Sequence, residues 1–370
     1  MSATSTGQGG TLRAGVIGLG WAGQQHMDAY AQLDGVELVA LAGLEPDQLE
    51  LLGEQYGVPP ELRFADWSEL VAADCVDVVS VATPNDLHAP ITVAALDAGL
   101  HVLSEKPMAE TGDVAQTMVD AARRNARVLD VTFNHRRRGD VQALKQIVDA
   151  GVLGEIYYAK AGWLRKEGIP GMGSWFTQKA ASGGGPLMDI GVHMLDMALH
   201  LLGEPDVTTA TAATYAEFGP RGRGASAYGL GRKTDVTADD FDVEDLATAF
   251  LRLDGGGTLL LESSWAQWIP HDQCYVTLYG SEGGASIEWG GHPETYRKLG
   301  IWTQKDGVQA SLNPVVPPDG EHRQAVIDFL AAVRAGANAD HDGSEALART
   351  RVVDACYASA AQHGEVTLGS

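Results

Sequence analysis

Residues 13–33 confine the fold more than any other stretch of this chain. Arg13–Leu19 reads as a strand, built on the short apolar run Ala14-Gly15-Val16-Ile17, and Gln24–Leu33 has helical character. Between them stands Gly18-Leu19-Gly20-Trp21-Ala22-Gly23. The first two glycines permit a tight turn and close backbone approach to a pyrophosphate, and the third lets the helix pack on its strand. The N–H groups of the helix start then face the anion. Such a glycine pattern alone is weak evidence. With a strand before it and a helix after it, it predicts nucleotide binding.

The alternation continues. Val36–Ala42, Val76–Ala82, His101–Ser104 and Arg127–Phe133 read as strands, and Pro46–Tyr56, Ile91–Ala98 and Asp113–Asn125 as the helices between them. Strand and helix in strict turn predict a doubly wound parallel sheet, whose ligands bind beyond the carboxyl ends of the strands. Three such ends carry polar clusters: Thr83-Pro84-Asn85 with His88, Glu105-Lys106-Pro107, and Asn134-His135-Arg136. With the glycine turn, residues Thr83, Asn85, His88, Glu105, Lys106 and Asn134 are therefore the expected cofactor contacts. The second strand ends in Ala42-Gly43-Leu44-Glu45-Pro46, so glycine stands where an acid often bonds the ribose 2′-hydroxyl. Leu44 and Glu45 join the expected cofactor set, and Glu45 favours NAD over NADP because a carboxylate repels the extra phosphate. The other reading of Glu45 is a solvated acid beside a helix N-terminus.

Beyond residue 135 the pattern changes. Gly154–Lys160, Val207–Tyr215, Leu246–Leu253, Thr258–Ser264, Cys274–Tyr279 and Ala285–Trp289 read as strands with few helices between them. This predicts an open, mostly antiparallel sheet in a second, α+β domain. One helix is expected at about Pro186–Leu202, closing helices at Gln324–Val333 and Glu345–Gln362, and a long loop or lid at Pro220–Asp240. The expected division is a loose tail over 1–11, a Rossmann domain over 12–134 and a substrate-binding domain over 135–370. No internal repeat stands out.

Composition removes several function classes. A formal net charge of −23 argues against nucleic acid and anionic membranes, both of which need a basic surface. Cys75, Cys274 and Cys356 are widely spaced, which is neither a disulfide framework nor a zinc motif. No apolar run approaches the roughly 20 residues of a membrane span. The opening residues lack the pattern of a signal peptide, so a cytoplasmic location is expected.

Gly183-Gly184-Gly185-Pro186-Leu187-Met188-Asp189-Ile190-Gly191-Val192-His193 is the most informative stretch for chemistry. A four-residue spacing places Asp189 and His193 on one helix face. A carboxylate beside an imidazole can orient the ring and raise its basicity, which suits a general base. Read singly, His193 is equally a satisfied core histidine and Asp189 an acid at a helix start. Asp196 and His200 continue the stripe, but its ends lie roughly 16 Å apart on a helix. Four ligands cannot converge on one zinc across that span, so no metal is expected.

Taken in order, Gly18–Gly23, Ala82-Thr83-Pro84-Asn85-Asp86-Leu87-His88, Glu105-Lys106-Pro107 and Gly183–Asp196 make the chain resemble the Gfo/Idh/MocA oxidoreductase family. This is the glucose–fructose oxidoreductase and inositol dehydrogenase group, and the resemblance covers nearly the whole length. It implies a nicotinamide cofactor, a sugar or cyclitol substrate, and catalytic positions at Lys106, Asp189 and His193. It also implies a homodimer or homotetramer built partly on the open sheet. In that chemistry His193 takes the hydroxyl proton while hydride leaves carbon, Asp189 orients it or shares the substrate hydroxyl, and Lys106 bonds the reacting oxygen and favours the developing alkoxide, the division between Lys106 and His193 being left open by sequence. Trp163, Arg165 and Trp175 are the expected substrate contacts, with Lys166, Trp265 and His271 behind them, because aromatic faces and charged donors suit a hydroxyl-rich ring. His322 and Arg323 either approach the same site or merely start a helix. Two alternatives remain: a cofactor-retaining enzyme that breaks or rearranges a glycosidic bond through transient oxidation, and a dinucleotide-binding regulator. A metal hydrolase, which chelator insensitivity would exclude, is the third.

Overall fold

The computed structural model describes residues 10–225, 241–290 and 298–369. The chain forms two compact units, one of Met1–Asn134 with Gly320–Leu347, the other of His135–Asp319 with Ala348–Ser370.

In the first unit the strands are β1 (Leu12–Ile17), β2 (Val36–Ala42), β3 (Arg63–Phe64), β4 (Val78–Val81), β5 (His101–Glu105) and β6 (Leu129–Thr132). They form one sheet in the order β3-β2-β1-β4-β5-β6, and every pairing is parallel. This is the dinucleotide-fold order, with the strand direction of travel reversing beside β1 and β4. Its helices are α1 (Trp21–Gln32), α2 (Pro46–Gln55), α3 (Trp67–Ala72), α4 (His88–Asp97) and α5 (Gly112–Asn125). Valines and leucines buried on both sheet faces explain the near-continuous apolar strands.

The second unit opens with α6 (Gly139–Asp149) and β7 (Ile156–Leu164), followed by the short α7 (Lys179–Ser182) and α8 (Val192–Leu202). Its remaining strands are β8 (Val207–Tyr215), β9 (Leu246–Leu253), β10 (Thr258–Ser264), β11 (Gln273–Gly280), β12 (Gly283–Trp289), β13 (Lys298–Lys305), β14 (Val308–Leu312) and β15 (Val366–Thr367). Among the described residues these make a nine-stranded sheet in which only β7 and β10 pair in parallel. The expected parallel sheet followed by a mostly antiparallel one is therefore what the chain forms.

Three expectations change. The segment holding α9 (Glu321–Ala335) was assigned by sequence to the substrate domain, yet it belongs to the first unit. Val326, Phe329 and Leu330 bury their side chains with Met27 and Tyr30 of α1 in one core, which fixes α9 there. Its successor α10 (Ser344–Gln362) contains the last boundary between the units. Second, the helix expected at Pro186–Leu202 is not uniform. A π-helical turn, Leu187–Gly191, precedes α8. Third, β13 and β14 carry too little apolar alternation to announce themselves. Of the expected lid at Pro220–Asp240, residues 226–240 lie outside the described residues, as do residues 1–9 of the expected tail.

Candidate active site

In the first unit the glycine turn is shaped by its neighbours. Gly18 sits at φ +102°, and a Cβ there would lie 2.3 Å from the Ala82 carbonyl oxygen. A Cβ on Gly23 would lie 2.0 Å from the Gly18 carbonyl oxygen. Gly20, by contrast, has nothing within 4 Å of its Cβ position. The loop is thus closed on the protein side and open at Gly20. Gln24 and Gln48 steady it by donating side-chain N–H groups to the Leu19 carbonyl, each at 3.0 Å. No side chain caps α1, and its first turn carries no acid. Ala22 is half-buried beside Trp21, which is 69% exposed. An open glycine rim and an uncapped, acid-free helix start fit a dinucleotide pyrophosphate.

A Cβ on Gly43 would meet Leu19, which explains why no acid stands at that position. Leu44 and Glu45 follow as exposed residues, and Glu45 is the N-cap residue of α2 without a side-chain capping bond. Asn85 and Asn134 are buried at the ends of β4 and β6, and Thr83 is half-buried. The His88 ring nitrogens lie 2.8 and 2.9 Å from the carbonyl oxygens of Pro107 and Thr83. Burial lowers the pKa of His88 despite these carbonyls, so its single N–H serves one of them at a time. The ring ties two strand-end loops together, a different task from the cofactor contact expected of it.

Beneath Lys106 lies a polar assembly that sequence reasoning missed. His26, wholly buried on α1, reaches Glu105 Oε1 at 3.1 Å through Nε2 and Ser80 Oγ at 2.8 Å through Nδ1. Tyr30 continues the chain to Ser80 at 2.9 Å. A carboxylate only accepts, so Nε2 carries a hydrogen towards Glu105. Glu105 Oε2 accepts the Lys106 backbone N–H at 3.1 Å, and His322 Nε2 stands 3.8 Å from Oε1. Burial alone would raise the Glu105 carboxyl. The hydrogen bond and charge of His26, with His322 and Lys106, hold it below its ordinary value. Burial drives His322 down to about 4. Its ring also packs edge-on to Trp21 at 5.1 Å, so α9 reaches the glycine loop. Only the position of His26, three residues past the last glycine, could have signalled this network.

The second unit holds the other expected residues. Asp189 lies in the π-turn, and its Oδ2 accepts the indole N–H of Trp265 at 2.9 Å. His193 is buried in the first turn of α8, its ring edge-on to His135 at 4.6 Å and tilted to Trp163 at 6.3 Å. The π-turn replaces the simple α-helical stacking of Asp189 over His193 that the spacing predicts. Such single π-turns are frequent at functional sites. Trp163 is half-buried, with the Arg165 guanidinium 5.1 Å from its ring centre. Arg165 also donates to the Gly168 carbonyl. Trp175 stacks on Phe176 at 3.8 Å. Trp265 is wholly buried and serves Asp189, which separates it from the surface residues Lys166 and His271. Asp196, the third member of the stripe, pairs with Arg136 and Arg349. His200 lies 3.7 Å from Glu204. Among the described residues no group of three or more His, Cys, Asp or Glu side chains is arranged to hold a metal ion. No described helix is long and apolar enough to cross a membrane.

Comparison with known proteins follows the same division. Residues 12–133 match the GFO_IDH_MocA family, described as an oxidoreductase family with an NAD-binding Rossmann fold, and residues 141–286 match the GFO/IDH/MocA C-terminal domain. D-glucoside 3-dehydrogenase of Escherichia coli is 34% identical over 96% of this chain and 97% of its own. Levoglucosan dehydrogenase of Pseudarthrobacter phenanthrenivorans is 30% identical over 74% of this chain and 72% of its own. Among solved structures, aldose-aldose oxidoreductase from Caulobacter crescentus complexed with glycerol aligns with a TM-score of 0.79 at 25% identity, covering 97% of this chain and all of the other. Levoglucosan dehydrogenase in complex with NADH and L-sorbose aligns at 0.80 and 25% identity, covering 98% of this chain and 100% of that one.

Proposed function

The chain belongs to the Gfo/Idh/MocA oxidoreductase family, and we propose that it interconverts a secondary alcohol and a ketone on a sugar or cyclitol. The observation that carries this reading is the coexistence of an open glycine cradle in one unit and an indole-anchored carboxylate followed by a buried histidine in the other. A regulator needs the first and has no use for the second. The nicotinamide, when bound, accepts the hydride. Gly18, Gly20 and Gly23 hold the pyrophosphate, with Thr83, Asn85 and Asn134 at the strand ends.

His193 takes the hydroxyl proton as the C–H bond is broken, leaving the carbonyl product. Asp189, fixed by Trp265, orients that exchange, and Lys106, seated on Glu105, supplies the cation for the same reaction. The catalytic set is thus Lys106, Asp189 and His193, and Trp163, Arg165 and Trp175 form the substrate contacts. Exposed Glu45 makes NAD the favoured cofactor; the phosphate of NADP meets like charge there. A relative named for D-glucosides and position 3 makes a D-glucoside the first substrate to offer and its 3-hydroxyl the first to examine.

The test is nicotinamide absorbance with purified protein, NAD or NADP, and a panel of glucosides, aldoses and inositols. Wild type reduces NAD with at least one sugar, and His193→Ala lowers kcat by roughly 100-fold or more. Cofactor that binds and is never reduced by any sugar would overturn the dehydrogenase reading. A second reading, one sugar oxidised while another is reduced, is favoured by the aldose-aldose oxidoreductase likeness. It predicts paired sugar products without NADH accumulation.

A further inference from the structure

The segment Asp242-Val243-Glu244-Asp245 lies outside every motif used so far, and it bonds the backbone that leads into the π-turn of Asp189 as well as the backbone at Lys179, Phe218 and Trp265. Asp242 Oδ1 accepts the Lys179 backbone N–H at 2.5 Å. Glu244 Oε2 accepts the Gly185 N–H at 2.9 Å, and Oε1 accepts the Leu187 N–H at 3.1 Å and the Tyr357 hydroxyl at 2.8 Å. Pro186, between those two donors, has no N–H to offer. Asp245 Oδ2 accepts from the N–H groups of Phe218 and Gly219. The Asp245 carbonyl accepts the Trp265 backbone N–H at 3.0 Å.

These contacts also explain the glycine run before the π-turn. A Cβ on Gly184 would lie 2.0 Å from the Tyr357 hydroxyl oxygen, and one on Gly185 would lie 2.0 Å from the Glu244 carbonyl oxygen. Two glycines are needed because Glu244 and Tyr357 press directly on the backbone that launches the turn. An acid held at the start of a helix also complements its dipole. Here the acid arrives from 57 and 59 residues away rather than from the helix itself. Its own chain neighbour, Asp245, holds the backbone of Trp265, whose indole donates to Asp189.

We infer that Glu244 is a positioning residue for the reaction: it clamps the Gly185–Leu187 backbone and so sets Asp189 against the Trp265 indole. One short segment thereby anchors the backbone of both partners of the Asp189–Trp265 hydrogen bond, that of the π-turn through Glu244 and that of Trp265 through Asp245. Glu244 acts through Asp189 and touches no substrate. The inference rests on the proposed role of Asp189 in the dehydrogenase reaction.

The test is a double-mutant cycle on the full-length protein, with NAD and a sugar that wild type oxidises. Glu244→Gln keeps the shape but turns one acceptor into a donor facing a donor. Its kcat falls by roughly ten- to a hundredfold, the scale of a small misplacement, while NAD affinity stays within twofold of wild type. Glu244→Gln combined with Asp189→Asn is no slower than Asp189→Asn alone. Losses that multiply instead would overturn the inference, as would a wild-type kcat in Glu244→Gln. A second readout needs no turnover. The Trp265 indole N–H resonance, assigned among the eight tryptophans by Trp265→Phe, shifts in Glu244→Gln in the direction that Asp189→Asn moves it. An unmoved resonance also overturns the inference. If wild type oxidises no sugar, the shift alone separates a correct clamp from a wrong reaction. Tyr357→Phe removes one donor without changing charge, and it carries the same cycle if Glu244→Gln does not fold.

Discussion

Each unit of this chain buries a glutamate under residues assigned to chemistry, and the two carboxyls move in opposite directions. Glu105 is surrounded by ionisable groups, and burial, which alone would raise it, is outweighed by His26, His322 and Lys106. Glu244 is held by the Gly185 N–H, the Tyr357 hydroxyl and the Leu187 N–H, and there burial prevails and raises it. Desolvation is similar at the two sites, since the residues are 6% and 8% exposed. What differs is the partner. Neutral dipoles satisfy lone pairs without carrying charge, whereas imidazole and ammonium groups favour the ionised form outright. The first unit therefore stores an anion beside the cofactor cradle, and the second uses a carboxyl as a backbone clamp.

Neutral substitutions put the largest strain on this contrast. Glu105→Gln lowers unfolding free energy by about 3 kcal/mol, the upper end for a hydrogen bond to a charged group. Urea denaturation measures it, and a loss smaller than that of Glu244→Gln would reverse the comparison. Gly184→Ala costs about 2 kcal/mol by overpacking against Tyr357; the same denaturation checks it, and combining it with Tyr357→Phe recovers part of the loss. Glu244→Gln costs about 1 kcal/mol, the price of one poorly satisfied buried donor.

The pH dependence of those differences is smaller but opposite in sign. A carboxyl whose folded pKa is depressed contributes stability above its ordinary value of 4.5, lost as pH falls through the folded pKa. One whose folded pKa is raised contributes below that value, and the contribution is lost as pH rises through the folded pKa. Wild type therefore gains on Glu105→Gln as pH rises from below 4.5. It loses ground to Glu244→Gln as pH rises above that value. Denaturation well below and well above pH 4.5 reads both slopes, and equal signs would remove the distinction. The smallest stability effect belongs to Gly20→Ala, within about 0.5 kcal/mol of wild type because no atom meets its Cβ. Its NAD dissociation constant rises about tenfold in a fluorescence titration, a change of about 1.4 kcal/mol in binding.

The two regions also differ in how far sequence exposes them. Gly18, Gly20 and Gly23 are legible because the turn needs a fixed spacing inside a strand–helix junction, and strict alternation then predicts the parallel sheet. Lys106 is legible for its place at a strand end. His26 is not, and His322 is visible only as one of two readings, since Glu105 gathers them from α1 and α9, nearly 300 residues apart in the chain. Asp189 and His193 are visible as a pair, but a four-residue spacing serves an α-turn and a π-turn alike. Glu244 reads as one acid among several after a charged, glycine-rich stretch of sequence. Its meaning lies in the two N–H groups that it caps from a distance, and sequence spacing carries no trace of that.

The return of α9 to the first unit has a consequence for how the chain is made. Val326, Phe329 and Leu330 close the core over Met27 and Tyr30, yet residues 135–319 are synthesised in between. At about 10 residues per second, α1 waits roughly 30 seconds on the ribosome before its covering helix exists. During that interval the buried face of α1 has no α9 to cover it, and Glu105 has one imidazole neighbour instead of two. The second unit is in effect an insertion within the first, so a fragment ending at Asn134 lacks part of its own core.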